Sequence, residues 1–196
     1  MMTDPGQPTT AVERLTRLDG PDLHDLCDAT EAAILDGGGF GWLAPPPREI
    51  MESYWKGVLL VPERHLFVAR LDHTIAGSAQ ILHPARNNEA HRLCGWVTTF
   101  FIAPWARGHG LAPLTVEALE AAAIDAGLKV LNLDVRETQE RAIQVYEQAG
   151  FVRWGTHPRY AFVDGGWLTG YHYYKDLTAS DPVGHETGAP EGALRK

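Results

Sequence analysis

The residues with the clearest chemical potential lie in the stretch FFIAPWARGHGLA, which runs from Phe100 to Ala112. An apolar, aromatic run ends at a proline, and an arginine and two glycines, Gly108 and Gly110, precede a helix-like segment. Successive backbone amides in such a loop, together with a helix N-terminus, form a site for an anion. Glycine lets the backbone approach a ligand closely, and Arg107 adds a charge-assisted contact. We therefore expect pyrophosphate binding here; a loop in which the glycines only make a tight turn is the alternative.

Two common phosphate-binding motifs are absent from this stretch. It has no Gly-Lys-Ser/Thr, so it is not a P-loop. It also lacks the complete G-x-G-x-x-G of dinucleotide-binding proteins, and no acidic residue follows at the spacing those proteins use. The loop therefore indicates a different class of phosphate site.

Two motifs resemble those of one family, the GNAT superfamily of N-acetyltransferases. The stretch IAPWARGHGLA resembles the acetyl-CoA-binding signature Arg/Gln-x-x-Gly-x-Gly/Ala, which falls here on Arg107, Gly108, His109, Gly110, Leu111 and Ala112. The stretch ERAIQVYEQAGFV resembles the family's Ala-x-x-x-Tyr-x-x-x-Gly-Phe helix and following strand, at Ala142, Tyr146, Gly150 and Phe151. The resemblance covers roughly residues 66–177 and includes the order and the separation of the two motifs.

The resemblance implies an enzyme that transfers an acetyl group directly from acetyl-CoA to a primary amine, without a metal. It implies that the amides of Arg107–Ala112 bind the cofactor pyrophosphate. It also implies that the strand with Phe100, Phe101 and Ile102 offers backbone groups to the pantetheine arm and polarises the thioester carbonyl. Core packing is a second role for the two phenylalanines, and both roles are compatible because the cofactor contacts are mostly made by the backbone.

The resemblance also implies catalytic residues. Tyr146 matches the general acid that protonates the leaving thiolate, since a phenol donates a proton while remaining neutral at pH 7. Gln139 stands where the family often has an asparagine that contacts cofactor or water.

The base that many relatives place on the strand before the loop is missing. Their glutamate is replaced here by a strand without a carboxylate, in which the candidate positions are Trp96, Thr98 and Thr99. Asp134, near the end of the next strand, is our candidate for the base, acting directly or through a water, because sites gather at strand ends in α/β sheets. A solvated or capping role for Asp134 is the alternative, and Glu137 and His109 are further candidates.

The pattern along the chain predicts an α/β (α+β) fold in one domain. The 196 residues, 44% of them hydrophobic, suffice for one full core. Helical spacing is present in residues 20–38, with Asp22 as the expected cap, and in 48–60, with Ile50, Tyr54 and Trp55 on one side. A hairpin, strand, helix, strand, helix and final hairpin follow. With the resemblance, this predicts a GNAT-like mixed central sheet, antiparallel in its front half, with splayed parallel central strands flanked by helices. We expect a flexible segment at 1–8, the acetyltransferase domain at 9–177 and a flexible tail at 178–196.

Composition restricts the partners. The net charge of -8 argues against nucleic acid as a partner, because phosphate neutralisation needs clustered Lys and Arg. No apolar stretch reaches membrane-spanning length and the first residues lack a signal-peptide pattern, so a cytoplasmic protein without a membrane partner is expected. Cys27 and Cys94 are far apart and are predicted to be free, buried thiols.

We predict a small-molecule amine as the substrate, of an amino acid-like, toxin, antibiotic or polyamine type. A protein or peptide N-acetyltransferase, or a non-catalytic acyl-CoA-binding sensor, is the alternative. Substrate contacts are expected from the loop at 37–47, from Tyr54 and Trp55, and from Trp154, Tyr160 and Trp167 in the last hairpin. Exposed aromatic residues in that hairpin would also permit a homodimer.

Overall fold

The computed structural model describes residues 8–38 and 41–178. All of the predicted flexible N-terminal segment except Pro8, and all of the predicted tail except Thr178, lie outside the described residues. The described part of the chain contains seven strands and four α-helices: β1 (Thr10–Leu15), α1 (Gly20–Leu35), α2 (Arg48–Val58), β2 (Arg64–Leu71), β3 (Thr74–Leu82), β4 (Cys94–Ile102), α3 (Leu111–Asp125), β5 (Val130–Arg136), α4 (Glu140–Gln148), β6 (Val152–Val163) and β7 (Gly166–Asp176).

The strands form one mixed sheet in the order β1-β2-β3-β4-β5-β7-β6. β4 and β5 are parallel, and every other neighbouring pair is antiparallel. The prediction of a mixed sheet with an antiparallel front half and a parallel central pair is confirmed. The edge strand β1 was not predicted, because its sequence TAVERL is short and half polar. β7 rather than β6 lies beside β5, so the final hairpin continues the sheet through its second strand.

Helices cover both faces of the sheet. Along β2, Leu66 and Val68 pack with residues of α1 and α2, whereas Phe67 packs with residues of α3 and α4. This alternation is the period of two that a strand imposes on its side chains. The centre of the sheet is therefore buried on both sides, and it holds the carboxyl ends of β4 and β5 in fixed positions.

Two local predictions for the first two helices are wrong. The cap of α1 is Asp19, whose Oδ1 accepts from the amide of Asp22 at 3.0 Å, and Asp22 instead pairs with Arg70 at 2.8 Å. In α2 the buried face carries Met51, Trp55 and Val58, at spacings of four and three residues, and Ile50 is 54% exposed.

Two histidines make the stability of the fold depend on pH. Nε2 of His83 lies 2.9 Å from Nδ1 of His65 in a half-buried pair on β2 and the end of β3. Burial, with His83 and Arg14 nearby, lowers the pKa of His65 to about 4, and burial with Arg14 also lowers the pKa of His83. Between pH 6.5 and 4 the unfolded chain therefore binds protons that the native protein does not, so stability falls as the pH falls through this window.

We expect His65 to account for at most about 2 kcal/mol of lost unfolding free energy at pH 5. Urea unfolding of the wild type and of His65→Gln at pH 7 and pH 5 measures this contribution, and the variant should lose less stability on acidification. Equal losses in the two proteins would contradict the assignment.

Candidate active site

A gap opens between the two parallel strands at the centre of the sheet. β4 and β5 pair from Cys94 opposite Val130 to Trp96 opposite Asn132, and not beyond. On the other side of β4, Ser78 pairs with Phe101 but Gln80 pairs with Thr98, so two residues of β4 lie opposite one of β3. One of the two, Thr99, has φ of 53°, as a bulged residue can. The bulge turns β4 away from β5, and two cavities open in the gap.

The larger cavity has a volume of about 840 Å³. It lies between the end of β4, the loop into α3 and the first turns of α4. Its lining includes Ala33, Asp36 and Gly38 near the end of α1, Phe100, Phe101 and Ile102, the residues Ala106, Arg107, Gly108, Gly110, Leu111, Ala112 and Pro113, and most of the segment from Thr138 to Val145.

The loop into α3 presents free backbone donors to the larger cavity. Among the described residues no acceptor pairs with the amides of Gly108 to Ala112. Gly110 is the N-cap of α3 with φ of 75°, and it provides no side-chain cap; Gly108 has φ of 84°. These left-handed conformations explain both glycines. Unpaired amides at the positive end of a 15-residue helix suit a doubly charged phosphate group, so the donor set fits pyrophosphate.

Arg107 lies in the wall of the larger cavity but already has an anionic partner. Its Nη1 is 2.7 Å from Oδ2 of Asp36, at the C-terminal end of α1. A pyrophosphate contact from Arg107 would share the guanidinium with this carboxylate, and the contact remains a prediction.

The other residues that were expected to bind the cofactor do not all lie in the wall of the larger cavity. Gln139 is the N-cap of α4, and its Nε2 donates to the carbonyl of Gly37 at 2.6 Å. Phe101 and Ile102 are 5% and 8% exposed, belong to the core and also line the larger cavity, whereas Phe100 lines both cavities. The ring of His109 contacts the carbonyl of Ala106, and His109 does not line either cavity.

The smaller cavity has a volume of about 400 Å³ and meets the larger one in the gap. Phe100, Gln139 and Ala142 line both. The rest of its wall comes from Gly41 and Leu43, from Val97, Thr98 and Thr99 of β4, from Asp134, Val135 and Arg136 of β5, from Tyr146, and from Tyr160, Ala161, Phe162 and Val163 of β6.

Tyr146 lies in the wall of the smaller cavity with a protonated hydroxyl group. Its ring is 5% exposed and packs between Phe100 and Phe151, at centroid distances of 5.3 and 5.7 Å. In the described part of the chain, nothing forms a hydrogen bond with its hydroxyl. Burial raises the pKa of Tyr146, and the nearby Asp134 carboxylate raises it further. The group is therefore a proton donor rather than a base at physiological pH.

Asp134 and Tyr160 form a pair in the same cavity. The Tyr160 hydroxyl donates a hydrogen bond to Oδ2 of Asp134. Burial and this bond both raise the pKa of Tyr160, so the phenol remains a hydrogen-bond donor. The other oxygen of the Asp134 carboxylate, Oδ1, is available to accept a proton from a ligand. No described cation forms a salt bridge with Asp134.

Gly170 on β7 makes room for this pair. A Cβ atom at Gly170 would lie 2.1 Å from Cγ of the Tyr160 ring. Gly170 is opposite Arg136 on one side and His157 on the other, so it lies between the strands that carry the two partners. The absence of a side chain there is therefore a condition for the Tyr160–Asp134 hydrogen bond.

We predict that Gly170→Ala displaces the Tyr160 ring and lowers kcat/KM about as much as Tyr160→Phe, roughly tenfold, the value of one hydrogen bond to a charged group. Because both changes act on one contact, the double variant should be no worse than either single variant. Steady-state kinetics of the three variants measure this. Additive losses would show that Gly170 acts elsewhere.

Several residues expected to bind substrate lie outside the smaller cavity. Trp55 is fully buried, Tyr54 packs against it and against Trp42, and Trp154 and Trp167 are 65% and 53% exposed. Of the aromatic residues that were expected to bind substrate and that the structure describes, Tyr160 alone lines the cavity. The expected homodimer stays a prediction.

Glu137, a further candidate for the base, accepts a hydrogen bond from the amide of Thr169 at 2.9 Å and does not line either cavity. Arg136 and Phe162 do line the smaller cavity, although neither was predicted from the sequence. Alternation along β5 would have placed Arg136 on the face of Asp134, and Phe162 follows Tyr160 at the same spacing on β6.

Comparison with known proteins identifies the family. Residues 26–151 match the model of the Acetyltransferase (GNAT) family, and the chain belongs to that family. A relative from Azospirillum brasilense, described as an uncharacterized N-acetyltransferase in the hisH-hisA intergenic region, is 64% identical over 130 residues, which are 66% of this chain and 77% of that protein. The chain is therefore an N-acetyltransferase of the acyltransferase class, as its motifs predicted.

Solved structures share the fold. An N-acetyltransferase from Staphylococcus aureus Mu50 has a TM-score of 0.72 at 18% identity, over 86% of this chain and 99% of that one. The acetyltransferase yncA from Salmonella typhimurium, solved with its cofactor acetyl-CoA, has a TM-score of 0.69 at 16% identity, over 94% and 99% of the two chains. The spermidine/spermine N-acetyltransferase SpeG from Vibrio cholerae has a TM-score of 0.65 at 16% identity, over 87% and 96%. The predicted GNAT-like fold is confirmed. No helix in the described residues is long and apolar enough to cross a membrane.

Proposed function

We propose that this enzyme acetylates the primary amine of a small molecule, with acetyl-CoA as the donor. The observation that carries the proposal is the meeting of two cavities in the β4–β5 gap. One cavity has a row of free amides, and the other has a proton donor and a carboxylate. Phe100, Gln139 and Ala142 form the junction where donor and acceptor would meet.

The larger cavity is the proposed site for acetyl-CoA. The amides of Gly108–Ala112 would hold its pyrophosphate, and the side of β4 that no longer pairs with β5 would lie beside its pantetheine arm. Acetyl-CoA supplies the acetyl group as a thioester. Binding at these residues would direct the reacting end toward Phe100, where the two cavities join, and toward the adjacent Tyr146 in the smaller cavity.

In the proposed reaction Asp134 and Tyr146 move protons. Asp134 takes a proton from the substrate ammonium, directly or through a water, and passes it to solvent. The free amine nitrogen forms a bond to the acetyl carbon while the carbon–sulfur bond breaks, and the Tyr146 hydroxyl gives its proton to the sulfur. The acetylated nitrogen then loses a second proton, which returns to the Tyr146 oxygen. The products are the N-acetyl amine, the free thiol of CoA and one proton.

The shape of the smaller cavity supports a small acceptor. Gly41 and Leu43 border it on one side and the β6 segment from Tyr160 to Val163 on another. A volume of about 400 Å³ is in the range of small-molecule sites. Structural neighbours include proteins named as acting on phosphinothricin, on spermidine and on ribosomal proteins, so the fold alone does not select among these acceptors.

The test is a panel of acceptors with acetyl-CoA, read by thiol release and by the mass of the acetylated product. The panel contains small primary amines and matched peptides with free N-termini. We expect turnover with a class of small amines and kcat/KM at least about tenfold lower for peptides. Higher kcat/KM for peptides would establish a peptide acetyltransferase, and cofactor binding without thiol release from any acceptor would indicate a sensor domain.

A further inference from the structure

The walls of the smaller cavity carry one charge of each sign. Among its described lining residues the charged side chains are Asp134 and Arg136, and the rest are apolar groups, hydroxyls and the Gln139 amide. No salt bridge joins either charged group to another described residue. A cavity with one open carboxylate and one open guanidinium is complementary to a zwitterion.

Backbone carbonyls orient the Arg136 guanidinium, and several of its N–H donors have no acceptor among the described residues. Its Nη2 donates to the carbonyl of Gly38 at 2.6 Å and makes a longer contact with that of Gly37 at 3.5 Å. A guanidinium has five N–H donors, and in the described residues no acceptor takes those on Nε and Nη1. The two carbonyls therefore orient the planar group, and the remaining donors are available to a ligand anion in the bidentate manner typical of arginine.

The two charged residues are close together on one strand and line one cavity. Asp134 and Arg136 alternate on β5 and share one face of the strand, so their Cα atoms are about 7 Å apart. Tyr160 donates a hydrogen bond to Asp134 and lines the same cavity as Arg136. A ligand beside Tyr160 can therefore reach both charged groups at once.

We infer that the acceptor is a small primary amine that also carries an anionic group, such as an α-amino acid, with its ammonium at Asp134 and its anionic group at Arg136. This inference rests on the proposed function and makes Arg136 a specificity-determining residue. A polyamine would place a second ammonium group against the Arg136 guanidinium, and like charges at this distance disfavour that binding.

The experiment compares pairs of acceptors that differ only in the charge of one group. Each amino acid is assayed beside its carboxamide, with the wild type, Arg136→Gln and Arg159→Gln. Arg159 is the matched control, because it lies on β6 over the ring of Trp167 and does not line the cavity. We expect the wild type to prefer the carboxylate, and Arg136→Gln to lose about 10- to 100-fold in kcat/KM for the carboxylate with little change for the carboxamide.

The comparison separates a contact with substrate from a structural role. If Arg136 only held the carbonyls of Gly37 and Gly38, its replacement would lower both members of each pair equally, and the inference would be overturned. A wild type that prefers carboxamides or polyamines would overturn it as well, while the proposed acetylation of a small amine would stand.

A binding measurement keeps the inference testable without turnover. Isothermal titration of the same amino acids and carboxamides is performed with the wild type and with Arg136→Gln. Carboxylate-selective binding that the variant loses, without thiol release from any amine, would support a zwitterion site at Asp134 and Arg136 while the proposed function fails. No binding of any amino acid together with no turnover would overturn both.

Discussion

Replacing Tyr146 by phenylalanine is expected to lower kcat by roughly 100- to 1,000-fold. Tyr146 lines the smaller cavity beside Phe100, and its hydroxyl has no hydrogen-bond partner among the described residues and is kept protonated by burial and by Asp134. Without it, the departing thiolate has no proton donor at this position. The ring contacts with Phe100 and Phe151 remain, so acetyl-CoA affinity and the unfolding midpoint should change little.

Tyr173 provides the matched control for this prediction. It is fully buried, its pKa is raised to about 12 mainly by burial, and its hydroxyl donates to Oε1 of Glu147 at 2.9 Å, outside both cavities. Tyr173→Phe should lose stability and keep its kcat, whereas Tyr146→Phe should lose kcat and keep its stability. Unchanged turnover in Tyr146→Phe would remove the general-acid assignment.

Replacing Arg107 by glutamate is expected to weaken acetyl-CoA binding by about 100-fold, as measured by calorimetric titration. The change removes a cation beside the free amides of Gly108–Ala112 and places a carboxylate where the pyrophosphate would bind. It also places two carboxylates together, because Arg107 of the wild type forms a salt bridge with Asp36 at 2.7 Å.

Asp36→Asn separates these two effects. This variant removes the competing carboxylate and leaves Arg107 free for the pyrophosphate, so acetyl-CoA should bind at least as tightly as to the wild type. If Arg107→Glu bound acetyl-CoA as well as the wild type, the pyrophosphate would have to lie elsewhere. If Asp36→Asn weakened binding, the salt bridge itself would be required to shape the loop.

Much of the site was predictable because its signals are local in the sequence. The amide row depends on two glycines and a helix start within six residues, and Tyr146 is fixed by the spacing of Ala142, Gly150 and the helix between them. Both features depend only on the local backbone conformation, and nearby turn-forming and helix-forming residues determine that conformation. The family motifs add the order of the two elements, and the comparison with known proteins confirms the family itself.

The parts that the sequence analysis missed depend on strand register. The bond from Tyr160 to Asp134 joins residues 26 positions apart, and it requires β7 to lie between their strands with a glycine at position 170. The bulge at Thr99 has no glycine to mark it, although its positive φ favours one. Arg136 was overlooked because its carbonyl acceptors, Gly37 and Gly38, are almost 100 residues earlier in the chain.

Direct acetyl transfer is tested by a stoichiometric assay with the wild-type enzyme, acetyl-CoA and a small amino acid. Released thiol, N-acetyl product and the intact mass of the protein are followed in the same samples. Direct transfer at the junction of the two cavities predicts one molecule of N-acetyl amino acid for each thiol, with no acetyl group added to the protein. An acetylated protein that passes the group on, or thiol release without an acetylated amine, would contradict the account.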